Sequence, residues 1–383
     1  MKPAANYKGK EQTYVKHFFL ERYLETVAFH IGYTQQEFVY VDCFSGPWKA
    51  ADEQLADTSI RIAMDKLNYV RDCLAAKQRY PNIRAIFVEK DPTAFLALET
   101  ALNLHRGAIK TTALSGTFEE NIPRILKAVG TTTFAFFFID PKGWTGFAMD
   151  SIIPILQHRP GEVMVNFMYD FINRFINYPE PTNEQSLDRF FGTTTWRAIR
   201  NVSDREAPSL ECYQDQLRAV GSHRYVTSTR ILKPHSDRAY FHLVYATSSP
   251  KGVIEFRAVE KQTVTEQDVI RTTAQREHRE TKSRQTELVF EPTNDFSNVI
   301  QEERDRRLQE AQNRLFTILQ QGPIRYEKLQ PRILEIPLVW NTDLNRILMA
   351  GHKSGRLRID GLTARQKAPK AEHTILLPGS SDS

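Results

Sequence analysis

The sequence predicts an α/β fold, a largely parallel sheet covered by helices on both faces and closed by an antiparallel hairpin. Three observations carry this. Apolar runs of strand length alternate with helically periodic segments through about the first two-thirds of the 383 residues, the pattern left by strand–helix crossovers. Seven consecutive residues, Phe134-Ala135-Phe136-Phe137-Phe138-Ile139-Asp140, are apolar and aromatic up to a final carboxylate, as in a strand buried on both faces. Two later strand-like runs, 224–231 and 239–247, are joined by the turn-like Leu232-Lys233-Pro234-His235-Ser236-Asp237-Arg238 with no helix between them.

Each element follows in order. Residues 14–30 place Phe18, Leu20, Tyr23, Leu24, Val27 and Phe29 at largely helical spacing, which predicts an amphipathic leading helix. Residues 38–42 read as a strand, and Ser45-Gly46-Pro47 as the turn after it. Asp57-Thr58-Ser59 stands before the periodic run 60–67 as an N-cap cluster should. A second strand over 83–89 precedes a helix over 92–104, and a third over 109–114 precedes a helix over 118–129. The aromatic run is the fourth strand, and 162–167 the fifth. Five alternating units closed by a hairpin give the strand plan of a Rossmann-like class I methyltransferase sheet. Flavodoxin-like and dinucleotide-binding folds seldom end in that hairpin.

After Val264 the character changes. Residues 266–287 and 298–313 are dense in Arg, Glu and Gln, the composition of solvated helices or a connector. Residues 314–319 resume apolar helical spacing and stop at Gly322-Pro323. Two short helices over 326–333 and 341–348, then a terminal hairpin around 355–361, give an order that resembles a winged helix. The predicted division is a class I methyltransferase-like domain over 1–263 and a charged helical connector over 264–305. A winged-helix-like α+β domain over 306–365 and a disordered tail over 366–383 complete it.

Composition narrows the function. No apolar stretch reaches membrane-spanning length and the first residues lack an apolar signal core. Cys43, Cys73 and Cys212 are odd in number and form no C-x-x-C, so neither a disulfide framework nor a cysteine zinc site is expected, and the compartment expected is the cytoplasm. The ten histidines lack metal-ligand spacing and no phosphate-binding P-loop occurs, so no metal site and no P-loop ATPase is expected. The net charge of +5 is compatible with a polyanionic partner.

The candidate site gathers at strand ends, where open α/β sheets bind ligands. Asp42, Ser45 and Gly46 stand where backbone amides approach a ligand after the first strand; for a methyltransferase that ligand is S-adenosylmethionine. Glu89 ends the second strand, placed to accept hydrogen bonds from ribose hydroxyls. Gly116 and Phe118, after the third, are the candidates for the adenine. Asp140, Pro141 and Trp144 form an acid, a rigid turn and an aromatic plate. An exocyclic base amine has its lone pair delocalised into the ring; a carboxylate that accepts its N–H localises the pair and aims it, and positioning then dominates. Such a base must leave its stack, and Trp144 offers a flat partner. Lys142 replaces the second proline of the D-P-P-Y pattern, and Trp48 departs from G-x-G. Near the C-terminus Arg346, Lys353, Arg356 and Arg358, with His352, are candidate phosphate contacts.

The order Lys16-His17, then Tyr40-Val41-Asp42-Cys43-Phe44-Ser45-Gly46-Pro47-Trp48, Asp57-Thr58-Ser59 and Phe138-Ile139-Asp140-Pro141-Lys142-Gly143-Trp144 resembles the three-Cys-motif partner proteins, TcmP. Phe190-Phe191-Gly192-Thr193 with Trp196, and 240–247 followed by Lys251-Gly252, add to the likeness. The resemblance implies a class I methyltransferase-like domain of bacterial or phage origin. It also implies a partner with a three-cysteine, radical-enzyme-like motif that supplies an iron–sulfur cluster. The expected function is therefore an S-adenosylmethionine-dependent methyltransferase acting on nucleic acid, at a base amino group. The alternative is a non-catalytic subunit that binds the three-Cys-motif protein. A metal-dependent nuclease ranks third, for want of a spaced acidic cluster.

Overall fold

A computed structural model describes residues 7, 9–45, 58–104, 107, 109–178, 180–283 and 296–379, and the chain divides into two units, Met1–Ser248 and Ser249–Ser383. In the first unit α1 (Glu11–Thr34) leads into β1 (Glu37–Asp42), α2 (Ser59–Ala75), β2 (Asn82–Glu89), α3 (Pro92–Leu104) and β3 (Lys110–Ser115). Then come α4 (Phe118–Val129), β4 (Phe134–Ile139), α5 (Met149–Leu156), β5 (Gly161–Phe167), α6 (Tyr169–Phe175) and α7 (Pro181–Phe191). A 3-10 turn over Thr195–Asn201, α8 (Glu206–Val220), β6 (Tyr225–Leu232) and β7 (Ala239–Thr247) complete it.

The strands form one sheet in the order β3-β2-β1-β4-β5-β7-β6. The first five are parallel, and β7 pairs antiparallel with both β5 and β6. This is the Rossmann-like class I methyltransferase strand plan the sequence predicts. The order reverses between β1 and β4, which makes their carboxyl ends the switch point of the sheet.

Both faces of β4 are buried, because alternate side chains enter different layers. Phe137 and Ile139 join a core with Ile122 and Ile125 of α4, Ile152 and Ile155 of α5, and Leu217 of α8. Phe136 lies on the opposite face, its ring 5.4 Å from that of Tyr23 on α1. α5 and α8 are absent from the sequence prediction. α5 spans only eight residues with Pro154 inside it, and a run that short carries no decisive period.

The second unit contains α9 (Pro250–Ser283), α10 (Asn298–Gln320), β8 (Ile324–Arg325), α11 (Tyr326–Leu334), α12 (Asn341–Lys353), β9 (Arg358–Asp360) and β10 (Thr374–Leu376). Its three strands order as β8-β10-β9, all antiparallel. Two expectations differ from this. The boundary drawn between 263 and 264 falls inside α9, whose Phe256, Val259 and Val264 are all buried. The segment expected as a disordered tail supplies β10, with Ile375 and Leu376 buried and Ile375 paired with Ile359. Three residues of strand in a polar surrounding leave little periodic signal, yet pairing on both edges fixes them.

Within this unit, charge is buried in paired form. Arg257 donates to the carbonyls of Leu334 and Glu335 and lies 2.6 Å from Glu260, which in turn accepts from the Leu338 amide and the Trp340 indole. Arg304 bonds Asp343 and the Leu338 carbonyl and stacks 3.6 Å over the Trp340 ring.

Candidate functional site

Asp42 is the last residue of β1 and is fully buried. Its carboxylate accepts from the Ser59 hydroxyl at 2.8 Å and the Phe44 amide at 3.2 Å. Burial pushes its carboxyl up to about 7, and the charge of Asp140 adds to the rise while the Ser59 hydrogen bond opposes it. β1 and β4 are neighbours here, since Asp42 pairs with Phe138 and the Cys43 amide donates to the Phe138 carbonyl at 2.9 Å.

Ser45 works on the backbone. Its amide donates to the Val88 carbonyl at 2.8 Å, and its hydroxyl donates to the Asp42 carbonyl while accepting from the Val88 amide. The side chain therefore ties the exit of β1 to β2. Gly46, with Pro47 and Trp48, lies outside the described residues.

Glu89 ends β2 and is buried. One carboxylate oxygen accepts from the Asp91 amide at 2.7 Å. The other, Oε2, is buried with no hydrogen-bond partner among the described residues. A buried acceptor left open is costly unless something fills it, so this oxygen suits a hydroxyl of a bound nucleoside. The Gly116 amide donates to the Glu89 carbonyl at 3.1 Å, and its φ of +110° is one a side chain rarely tolerates. Phe118 opens α4 and is buried in the main core, its ring 5.4 Å from Phe44.

Asp140 follows β4 directly. Its Oδ1 accepts from the Asn166 amide at 2.6 Å, and its Oδ2 lies 2.5 Å from Lys16 Nζ. Pro141 is buried beside it. Trp144 turns toward other partners: its indole N–H donates to Ser186 at 2.9 Å and its ring lies 4.6 Å from Phe175. Asp42 and Asp140 thus come together at the switch point, Glu89 caps the neighbouring strand, and Trp144 packs against α6 and α7.

Sequence reasoning leaves Lys16 without a role. It sits on α1 amid Tyr14, Val15, His17, Phe18 and Phe19, all buried. A lone cation in so apolar a stretch is the signal that was present, because a buried ammonium requires a paired anion. The same charge helps hold the buried His17 ring down at about 3, after burial itself, with Asp140 opposing. His17 is therefore neutral.

In the second unit Lys353, Arg356 and Arg358 are exposed. Arg346 is paired with Asp343 at 2.9 Å and Arg358 with Asp360 at 2.7 Å. The His352 ring accepts from the Ile359 amide at 3.3 Å. Lys353 and Arg356 thus present the less compensated charge of the set. Among the described residues no group of His, Cys, Asp and Glu is arranged to hold a metal ion, and no helix is long and apolar enough to cross a membrane.

No protein-family model matches this sequence, and no curated protein matches it. Solved structures do. The O-methyltransferase TomG from Streptomyces achromogenes, in complex with SAM, is 10% identical over 60% of this chain and 79% of its own, with a TM-score of 0.33. Cofactor-bound Rv0187 from MTB is 15% identical over 60% of this chain and 78% of its own, with a TM-score of 0.31. Loganic acid methyltransferase with SAH is 12% identical over 69% of this chain and 88% of its own, with a TM-score of 0.30. Superpositions this loose carry no argument about the site, and the strand order above stands by itself.

Proposed function

We propose that this chain is an S-adenosylmethionine-dependent methyltransferase whose acceptor is a nitrogen of a nucleobase in nucleic acid. The observation that carries the reading is the convergence of Asp42, Glu89 and Asp140 on the carboxyl edge of a sheet whose order reverses between β1 and β4. The open Oε2 of Glu89 suits a ribose hydroxyl, and Asp42, poised to ionise near neutrality, suits an ammonium group. When bound, S-adenosylmethionine supplies an electrophilic methyl group already activated by its sulfonium. The protein's share is then to place the acceptor: Asp140, fixed by Asn166 and Lys16, holds an acceptor N–H.

The nucleic-acid part draws on the second unit. Its order of α10, β8, α11, α12 and the β9–β10 pair resembles a winged helix, with Lys353 exposed at the end of α12 and Arg356 exposed between α12 and β9. Such cations position a phosphate backbone without reading sequence. The likeness to TcmP proteins adds a second partner, a three-Cys-motif protein carrying an iron–sulfur cluster. In that reading the cluster is carried by the three-Cys-motif partner.

Calorimetry with S-adenosylmethionine tests the first half, and saturable heat is expected. Asp140→Ala is expected to bind the cofactor within about twofold of the parent and to lose methyl transfer to nucleic acid by about 100-fold or more. Unchanged transfer by that variant removes Asp140 from the reaction. Absence of any heat favours a non-catalytic subunit that binds the three-Cys-motif protein.

A further inference from the structure

Asp140 does not meet its acceptor alone. Lys16 Nζ is 2.5 Å from Oδ2, and the pair is partly open, with side chains 15% and 13% exposed. An ionised carboxylate offers roughly four lone-pair positions and an ammonium three N–H donors. With Asn166 and Lys16 bound, the carboxylate still accepts, and Lys16 still donates beyond the single bond to Asp140. The site therefore shows a ligand one acceptor and one donor side by side.

A cavity of about 340 Å³ opens on the same rim, lined among others by Gly9, Gln12, Lys233, Pro234, His235 and Tyr240. Gln12, which lines the cavity, and Lys16 lie about one helical turn apart on α1. Lys16 Nζ sits 5.9 Å from the ring of the buried Phe241 on β7. The volume is at the small end of those that take small ligands, and Pro234 and Tyr240 give it flat apolar surface for a planar ring.

We propose that Lys16 and Asp140 recognise the lactam edge of a base, the ring N–H beside a carbonyl found in guanine and uracil, with the N–H on Asp140 and the C=O on Lys16. This rests on the methyltransferase reading above and narrows its acceptor. An exocyclic amine fits the cation poorly. Its neighbour on the edge is a ring nitrogen, and an ammonium bonded there draws electron density away from the amine. A lactam gains from the same charge. The ring N–H bond breaks, its proton goes to a carboxylate oxygen of Asp140, and the electron pair left behind spreads onto the carbonyl oxygen held by Lys16. The ring nitrogen is then a competent nucleophile, and Asp140 afterwards returns the proton to solvent.

Binding to the full-length protein tests this without turnover, in the presence of S-adenosylhomocysteine. Inosine and uridine 5′-monophosphates, lactams without an exocyclic amine, are expected to bind about tenfold or more tighter than the adenosine and cytidine compounds. Lys16→Met is expected to erase that preference, and Lys16→Arg to keep it, which separates loss of the charge from loss of the fold. Equal binding of the four nucleotides, a preference for the amino bases, or a lactam preference that survives in Lys16→Met overturns the proposal. If S-adenosylhomocysteine itself gives no heat, the methyltransferase reading falls and this one with it; if it binds and the lactam preference is missing, only the present proposal falls.

Discussion

At the scale of single residues, the carboxylates at strand ends were legible and the lysine that pairs with one of them was not. Asp42, Glu89 and Asp140 announce themselves because each closes an apolar run, and an acid in that place faces the open edge of a sheet. Lys16 reaches the same spot from α1, through a contact 124 residues long that no local pattern encodes, whereas Asn166 arrives from the end of β5, itself a strand-end position. Asp42 yields a specific expectation. Burial holds its carboxyl at about 7 in the folded chain, well above the ordinary aspartate value. A raised folded value favours the folded state at low pH, and that advantage is lost as pH climbs from about 4 through 7. An ammonium group arriving beside Asp42 drives it to ionise, so cofactor binding at pH 7 should release a fraction of a proton. The measured heat should then vary with the ionisation enthalpy of the buffer, and the variation should vanish in Asp42→Asn. A buffer-independent heat in the parent protein rejects this placement of the ligand.

Elements were legible where period and punctuation agreed. The helix at 118–129 and the aromatic β4 were read with their bounds within a residue. α4 begins with a reciprocal cap: the Thr117 hydroxyl accepts from the Glu120 amide at 3.3 Å, and the Glu120 carboxylate accepts from the Thr117 amide at 3.1 Å. Thr117→Ala should lower the unfolding free energy by about 1 kcal/mol in a denaturant titration. A change under about 0.3 kcal/mol means that packing of Phe118 and Ile122, rather than the cap, sets the helix start. α8 went unread because Tyr213 and Leu217 are buried among many polar neighbours, and so sparse a stripe is easily passed over. α9 misled by composition, since residues 266–287, dense in Arg, Glu and Gln, read as solvated while Gln267 and Arg271 among them are buried.

For the whole molecule, the sequence revealed two kinds of territory and misplaced the seam. The division lies at 248/249, just ahead of α9, and strand β10 draws residues expected as a loose end into the second unit. That unit bears the salt test. If Lys353 and Arg356 each neutralise one phosphate, Lys353→Ala/Arg356→Ala should lower the slope of log affinity against log salt by roughly 1.4 to 1.8, as binding to single- or double-stranded nucleic acid is measured between 50 and 200 mM. Arg346→Ala should change that slope less, because Asp343 already offsets its charge. The ion pair from Lys16 to Asp140 carries a last consequence. Its partners lie 124 positions apart, and Asn166, which completes it, is made later still. A ribosome making this chain has therefore released the lysine long before the aspartate exists, so no nascent fragment ending before β5 can hold the reactive arrangement. Competence arrives late in synthesis and all at once, when α1 closes against strands made more than a hundred residues after it.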